Sequence, residues 1–382
     1  MDFVSGFIRA IDGERDPVAL VKIFAMIPRL ATMAPNAVAS LSEEMFEVTS
    51  VYFPISFNPP ADDPRRITAA DLATGLNATL ACHPSMANYV IPFLLEKISS
   101  ALIETKIAAL DCLCFCVEQY DETSIRMFLT EIWTYIRTEV MRTTNLDVLH
   151  SALECIRIIC TVACDTPNKN QNLINMDGII RPALTELKSP ECKFAPLYGR
   201  MIYSVAIASP DICNLACYKL LQELSLVVYE ANTRDKKSGT LIIGTQVLEA
   251  LYRSQLEKPV EATKYISVFW DSVSSLISDT SVQREMCEIM CRFALFPQHV
   301  NMDIIFQSVR DALCSEERDV SKNAVDGVKW IYRFNSEIIK DHILVPLLSQ
   351  DSSLAKDSGT YCIYFCHGAW LLSHSSTQVS FH

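Results

Sequence analysis

The sequence predicts an all-α protein: a HEAT/armadillo-type α-solenoid of about seven helix pairs, preceded by an N-terminal helical segment. Three observations lead there. Glycine supplies only 10 of 382 residues, roughly a third of its usual share, so the turn chemistry that sheets and phosphate loops require is scarce. Hydrophobic residues make up 50% of the chain and charged residues 20%, which is ample for a packed core and excludes global disorder. Third, one helical pattern recurs along the chain at intervals of 34 to 47 residues, close to the period of helical repeats at ~40–47.

Taken in order, the N-terminal segment opens without a sustained apolar run or a small-residue cleavage site, so no secretory signal is expected. Asp12-Gly13-Glu14-Arg15-Asp16 has the alternating acids of a calcium loop. Pro17 stands where such a loop needs glycine, however, so a turn capped by Asp16 ahead of a helix starting at Pro17 is expected instead. Pro54, Pro59, Pro60 and Pro64 make the stretch between them extended or turn-like. It ends at Thr68, which stands in the capping-box relation to Asp71.

The repeat follows. Its second helix places an apolar or alkyl position, a small residue four later and another apolar one four after that. The segment from Ile103 through Ala109 to Leu113 sets the template, and six sets repeat it: Val148/Ala152/Ile156, Ala195/Gly199/Tyr203, Thr240/Gly244/Leu248, Val282/Met286/Met290, Val320/Ala324/Val328 and Leu354/Ser358/Cys362. The central residue is small in every set except at Met286, as close helix-on-helix approach demands, and Met is an adaptable filler. Pro92, Pro182 and Pro346 lie early in first helices, where a kink is tolerated. Asp165–Asn172 reads as a polar loop between repeats, and Thr233–Gly239 as a loop joining the two helices of one unit.

Fifteen cysteines in so long a chain, odd in number and without a regular framework, predict reduced and mostly buried thiols. Cys112, Cys114 and Cys116 cluster, and Cys160/Cys164, Cys213/Cys217, Cys287/Cys291 and Cys362/Cys366 share helix faces. A closed metal site needs four ligands and no C-x-x-C occurs, so these read as small core hydrophobes, and no metal or other cofactor is expected. Cys362, Cys366, His367 and His374 form the one formal four-ligand set. No G-x-S-x-G, phosphate-binding glycine loop or H-E-x-x-H is present, so no enzymatic activity is expected and no catalytic residue is assigned.

A net charge of −12 argues against binding the nucleic-acid backbone directly. No run reaches the ~18 apolar residues of a membrane span. The chain is expected in the cytoplasm and nucleus. Arg157, Arg253, Arg292, Lys329 and Arg333, beside Glu154, Glu249 and Glu288, fall on second helices, which line the concave face of a solenoid and make it the expected partner-binding surface.

The N-terminal residues carry a resemblance. Gly13–Pro17, Phe46 to Pro60 with its Tyr52-Phe53-Pro54-Ile55 block, Ile67-Thr68 with Asp71-Leu72, and Ile91–Lys97 closely resemble the Mms-nineteen (methyl methanesulfonate sensitivity) nucleotide-excision-repair family. The close match covers roughly residues 1–120, with the repeat pattern alone beyond. This family is the HEAT-repeat targeting subunit of cytosolic iron–sulfur protein assembly. The resemblance implies a non-catalytic adaptor presenting apoproteins of DNA repair, replication and transcription, notably DNA helicases and polymerases, for cluster insertion. It also implies partners among the other subunits of the targeting complex, docked by the family's C-terminal repeats. The competing expectation is a karyopherin-like or transcription-associated scaffold with no tie to metal. Expected domains are 1–66, with the helices and the proline-rich loop, 67–358, the repeats, and 359–382, an atypical tail.

Overall fold

The computed structural model describes residues 2–59, 67–164, 180–189, 191–315, 317–334 and 336–344, and every regular element among them is helical. The N-terminal segment comprises α1 (Asp2–Ile11), α2 (Pro17–Met33), α3 (Pro35–Ser40) and α4 (Ser42–Ser50). Asp16 caps α2, its carboxylate accepting from the Val18 N–H at 3.2 Å, with Pro17 as the first helical residue. The preceding turn passes through Gly13 at φ 76°, a left-handed conformation that glycine adopts without strain. Glu14 Oε1 accepts from the N–H groups of Arg15 and Asp16 at 2.7 and 2.8 Å, so this carboxylate organises backbone. Thr68 and Asp71 form the capping box of α5 (Ala69–Leu80), with bonds of 3.1 and 2.8 Å.

Beyond α5 come six helix pairs among the described residues. They are α6 (Ala87–Ile98) with α7 (Ile103–Gln119), α8 (Glu122–Arg142) with α9 (Leu146–Cys164), and α10 (180–188) with α11 (Ala195–Ala206). Then follow α12 (Pro210–Glu230) with α13 (Arg234–Gln255), α14 (Ile266–Ser274) with α15 (Gln283–Phe293), and α16 (Met302–Leu313) with α17 (Arg318–Phe334). A short α18 (Ser336–Ile339) follows. The architecture is all-α and of the helical-repeat, HEAT/armadillo-type class.

The chain divides into two compact units, one of residues 1–179 with 207–212 and one of 180–206 with 213–382. In the first, α2 packs on α5, α5 on α7 and α7 on α9, while α6 and α8 form the companion row. In the second, α11 packs on α13, α13 on α15 and α15 on α17. Equivalent second helices therefore stack on one another within each unit, which is what the recurring small residue predicts.

The central positions occupy these seams. Ala109, Ala152 and Ala324 have no exposed surface and Met286 retains 2%. A Cβ added to Gly199 would lie 3.2 Å from Gln246 Cγ and 3.7 Å from Ile243 Cα, so α11 meets α13 almost backbone to backbone. A Cβ on Gly244 would stand 2.6 Å from Phe269 Cζ and 3.1 Å from Ile289 Cδ1, which leaves no room for a methyl group between α13, α14 and α15.

One expectation is corrected. Residues 234–239 are not a loop but the first turns of α13, which Thr233 caps by accepting from the Lys236 N–H at 3.4 Å. Their polar side chains bind the next repeat. Lys237 pairs with Asp279 at 2.6 Å, Ser238 donates to Glu285 at 2.8 Å, and Arg234 Nε donates to the Ser281 carbonyl at 2.9 Å. A polar run read locally as a connection is a helix stabilised by distant partners. The set Leu354/Ser358/Cys362, Pro346, the loop Asp165–Asn172, residues 60–64 and the tail 359–382 lie outside the described residues.

Candidate partner-binding face

Of the five basic residues picked from the sequence, Arg157 belongs to the first unit. It pairs with Glu154 on its own helix, Nε to Oε2 at 2.9 Å and Nη2 to Oε1 at 2.5 Å. That hydrogen-bonded pairing holds the Glu154 carboxyl below its ordinary range and raises Arg157.

Arg253, Arg292, Lys329 and Arg333 belong to the second unit, and two of them meet. Glu249 of α13 pairs with Arg253 one turn on at 3.4 Å and with Arg292 of α15 at 3.5 Å. Arg253 lies over the Tyr203 ring of α11 at 5.5 Å, and Arg292 lies over the Trp330 ring of α17 at 4.0 Å. A ladder of alternating aromatic and charged groups thus runs Tyr203, Arg253, Glu249, Arg292, Trp330 across four stacked helices. Burial raises the Tyr203 hydroxyl to about 12, so it remains a neutral donor at physiological pH.

The structure corrects one of these assignments. Arg292 is not an exposed groove residue: it is 8% exposed, and its Nε is buried without a hydrogen-bond partner. Its carboxylate contacts, at 3.5 Å to Glu249 and 3.9 Å to Glu288, are long. The exposed groups are Arg253, whose side chain is 51% accessible, Lys329, held at 3.4 Å by Asp326, and Arg333, which has no ion-pair partner among the described residues. Trp330 escaped the sequence reading, although a signal existed. Arg292 and Trp330 each stand six residues after their central positions, Met286 and Ala324, and equal offsets on stacked helices come face to face.

In the first unit a cleft of about 540 Å³ is lined by Lys106, Tyr135, Glu139, Arg142, Asn145 and Val148, among others. Lys106 and the buried Glu139 neutralise each other at 2.5 Å, which ties α7 to α8.

The cysteines whose side chains are described are free thiols and, except for Cys82 and Cys314, buried. Burial raises Cys82 to about 12. Hydrogen bonding to Cys116 and then burial raise Cys112, and hydrogen bonding to Cys114 and then burial raise Cys155. Such thiols stay protonated and pack as hydrophobes. Among the described residues no group of three or more His, Cys, Asp and Glu is placed to hold a metal ion, and no helix is long and apolar enough to cross a membrane. Cys362, Cys366, His367 and His374 lie outside the described residues.

Comparison with known proteins gives this geometry a context. The MMS19 N-terminal family model, described as "Dos2-interacting transcription regulator of RNA-Pol-II", matches residues 1–142. The MMS19 nucleotide excision repair protein homolog of Dictyostelium discoideum is 28% identical over 305 residues, 76% of this chain and 27% of that one. The Mus musculus homolog is 30% identical over 305 residues, 75% of this chain and 28% of that one. The chain therefore spans about a quarter of the length of the curated relatives it matches. Among solved structures, Kap95p in complex with RanGDP gives a TM-score of 0.38 at 13% identity, over 97% of this chain and 49% of that one. Matched by the family model at its N-terminus and by these homologues along three quarters of its length, the chain is similar to MMS19 nucleotide excision repair proteins over the part of them that it spans.

Proposed function

We propose that the chain is a non-catalytic adaptor in cytosolic iron–sulfur cluster assembly, and that it helps to present apoproteins of DNA repair, replication and transcription for cluster insertion. Its partners on this reading are apo forms of DNA helicases and polymerases, together with other subunits of the targeting complex. Its working places are the cytoplasm and the nucleus. The similarity to MMS19 nucleotide excision repair proteins, and what that resemblance implies, supports this reading. The observation that carries the adaptor role is the stacking of the second helices, which presents exposed Arg253 on α13 and exposed Lys329 and Arg333 on α17, two repeats further on. Many weak contacts of this kind grip a protein surface without chemistry.

The test is affinity purification of the tagged chain followed by mass spectrometry, expected to recover iron–sulfur apoenzymes and assembly factors. Recovery of Ran or nuclear import cargo instead would support the karyopherin-like alternative and overturn the proposal. Charge reversal of Arg253, Lys329 and Arg333 together is expected to weaken capture of a helicase apoprotein while the circular dichroism spectrum stays unchanged. Undiminished capture would place the gripping surface elsewhere.

A further inference from the structure

A second surface, separate from the arginine ladder, lies on α12. The buried side of this helix is formed by Cys213, Ala216, Cys217, Leu220, Leu224 and Val228. At 100° per residue the opposite side carries Leu215, Tyr218, Gln222, Leu226 and Tyr229 within one narrow stripe. Its four large apolar members are 45%, 42%, 58% and 67% exposed respectively. Fourteen residues separate the first from the last, a rise of about 21 Å. A single exposed leucine needs no explanation, but four aligned on one helix do.

The stripe is held in place at its N-terminal end. Asn214 Oδ1 accepts from the Ala262 N–H at 2.8 Å, and the Tyr218 and Tyr265 rings meet edge to face at 4.8 Å. Val268 on α14, three residues after Tyr265, is also 51% exposed.

The charges around the stripe are unbalanced. Glu223 and Glu230 on α12, Glu261 ahead of α14 and Asp271 on α14 are all exposed, and none has an ion-pair partner among the described residues. The neighbouring lysines are both engaged: Lys264 lies over the Tyr265 ring at 5.3 Å, and Lys219 has a partner of its own. An apolar stripe four helical turns long, flanked by unpaired carboxylates, matches one kind of partner in both shape and charge.

We propose that the exposed face of α12 docks a basic amphipathic helix of a partner protein. The partner would set apolar side chains at i, i+3, i+4 and i+7 against Leu215, Tyr218, Leu226 and Tyr229, with Lys or Arg flanking them to meet Glu223, Glu230 and Asp271. The acidic border disfavours an anionic lipid surface and an acidic helix by like-charge repulsion.

The test uses the full chain and a fluorescent synthetic peptide of about 14 residues, long enough to cover the stripe, with leucines on one face and lysines on the other. A peptide with glutamate in place of lysine is the control. The lysine peptide is expected to bind at least about tenfold more tightly than the control, and Leu226→Ser with Tyr229→Ser is expected to weaken it by about tenfold. Glu223→Lys with Glu230→Lys is expected to weaken it too and to flatten its salt dependence. Circular dichroism checks folding; if the first double variant is unfolded, Leu215→Ser with Leu226→Ser tests the same stripe. Equal binding of the two peptides, or binding indifferent to these substitutions, overturns the proposal. A dimer in light scattering that Leu226→Ser with Tyr229→Ser disperses would assign the stripe to a second copy, and substitution-sensitive sedimentation with phosphatidylserine vesicles would assign it to membrane. Either result also overturns it.

Discussion

Replacing Glu249 by leucine removes the group on which Arg292 and Arg253 converge. Arg292 is 8% exposed, and its guanidinium would keep only Glu288 at 3.9 Å and the Trp330 ring at 4.0 Å, with its Nε already unpartnered. At 3.5 Å and an effective dielectric of about 20, the lost attraction is about 5 kcal/mol gross, much of it offset by the desolvation both groups have undergone. Removing one partner of a buried pair costs about 3–5 kcal/mol because the other is stranded. With Glu288 remaining 42% accessible and able to turn inward, about 3 kcal/mol is expected. Arg292→Met gives up the stacking on Trp330, worth about 2 kcal/mol when desolvated, while Glu249 keeps Arg253 at 3.4 Å. The double variant strands no charge, so its loss is expected near about 2 kcal/mol rather than the sum of the two, a coupling of about 3 kcal/mol. Urea unfolding followed by circular dichroism measures all three, with the shift of midpoint read against a constant slope. A Glu249→Leu variant within about 0.5 kcal/mol of wild type, or a double variant whose loss is the sum of the singles, would refute the ladder as an energetic unit.

Other consequences are as direct. Gly244→Ala drives a methyl into the Phe269 ring, 2.6 Å away, and is expected to cost about 1–3 kcal/mol; Gly199→Ala meets the flexible Gln246 chain at 3.2 Å and should cost clearly less, so equal thermal melts would refute the seam. Lys237 and the Ser281 contacts lower Asp279 from 3.8 to about 2. A lowered folded value means that the stabilisation is present above the unfolded value and is lost as pH falls through the folded one, so the gap in melting temperature between wild type and Asp279→Asn should close between pH 4 and 2; a gap independent of pH would refute it. Among the described cysteines, Cys314 is expected to react first with N-ethylmaleimide, since it is the exposed one. Burial and then Asp311 raise its thiol, so labelling should still be accelerating above pH 9, and peptide mapping that finds Cys112 or Cys155 modified first would contradict the buried seam.

The repeat, its period and the residues at its seams were legible in the sequence, because close helix approach needs a small residue at a fixed place in every unit. Ala109, Ala152 and Ala324 are therefore both the pattern and the packing. The caps at Asp16 and Thr68 were legible for a related reason: a cap is a local bond between residues three or fewer apart. What the sequence left hidden depends on partners some forty residues away. The first turns of α13 read as a polar loop until Asp279, Ser281 and Glu285 were seen to hold them. Arg292 read as a partner-binding groove residue until the stacking of α15 between α13 and α17 brought Glu249 and Trp330 onto it. The apolar stripe of α12 is present in the sequence as a periodicity, but a helix with two apolar sides does not reveal which one the core takes. That choice belongs to the tertiary packing, which buries Cys213, Cys217 and Leu224 and leaves Leu226 and Tyr229 in water.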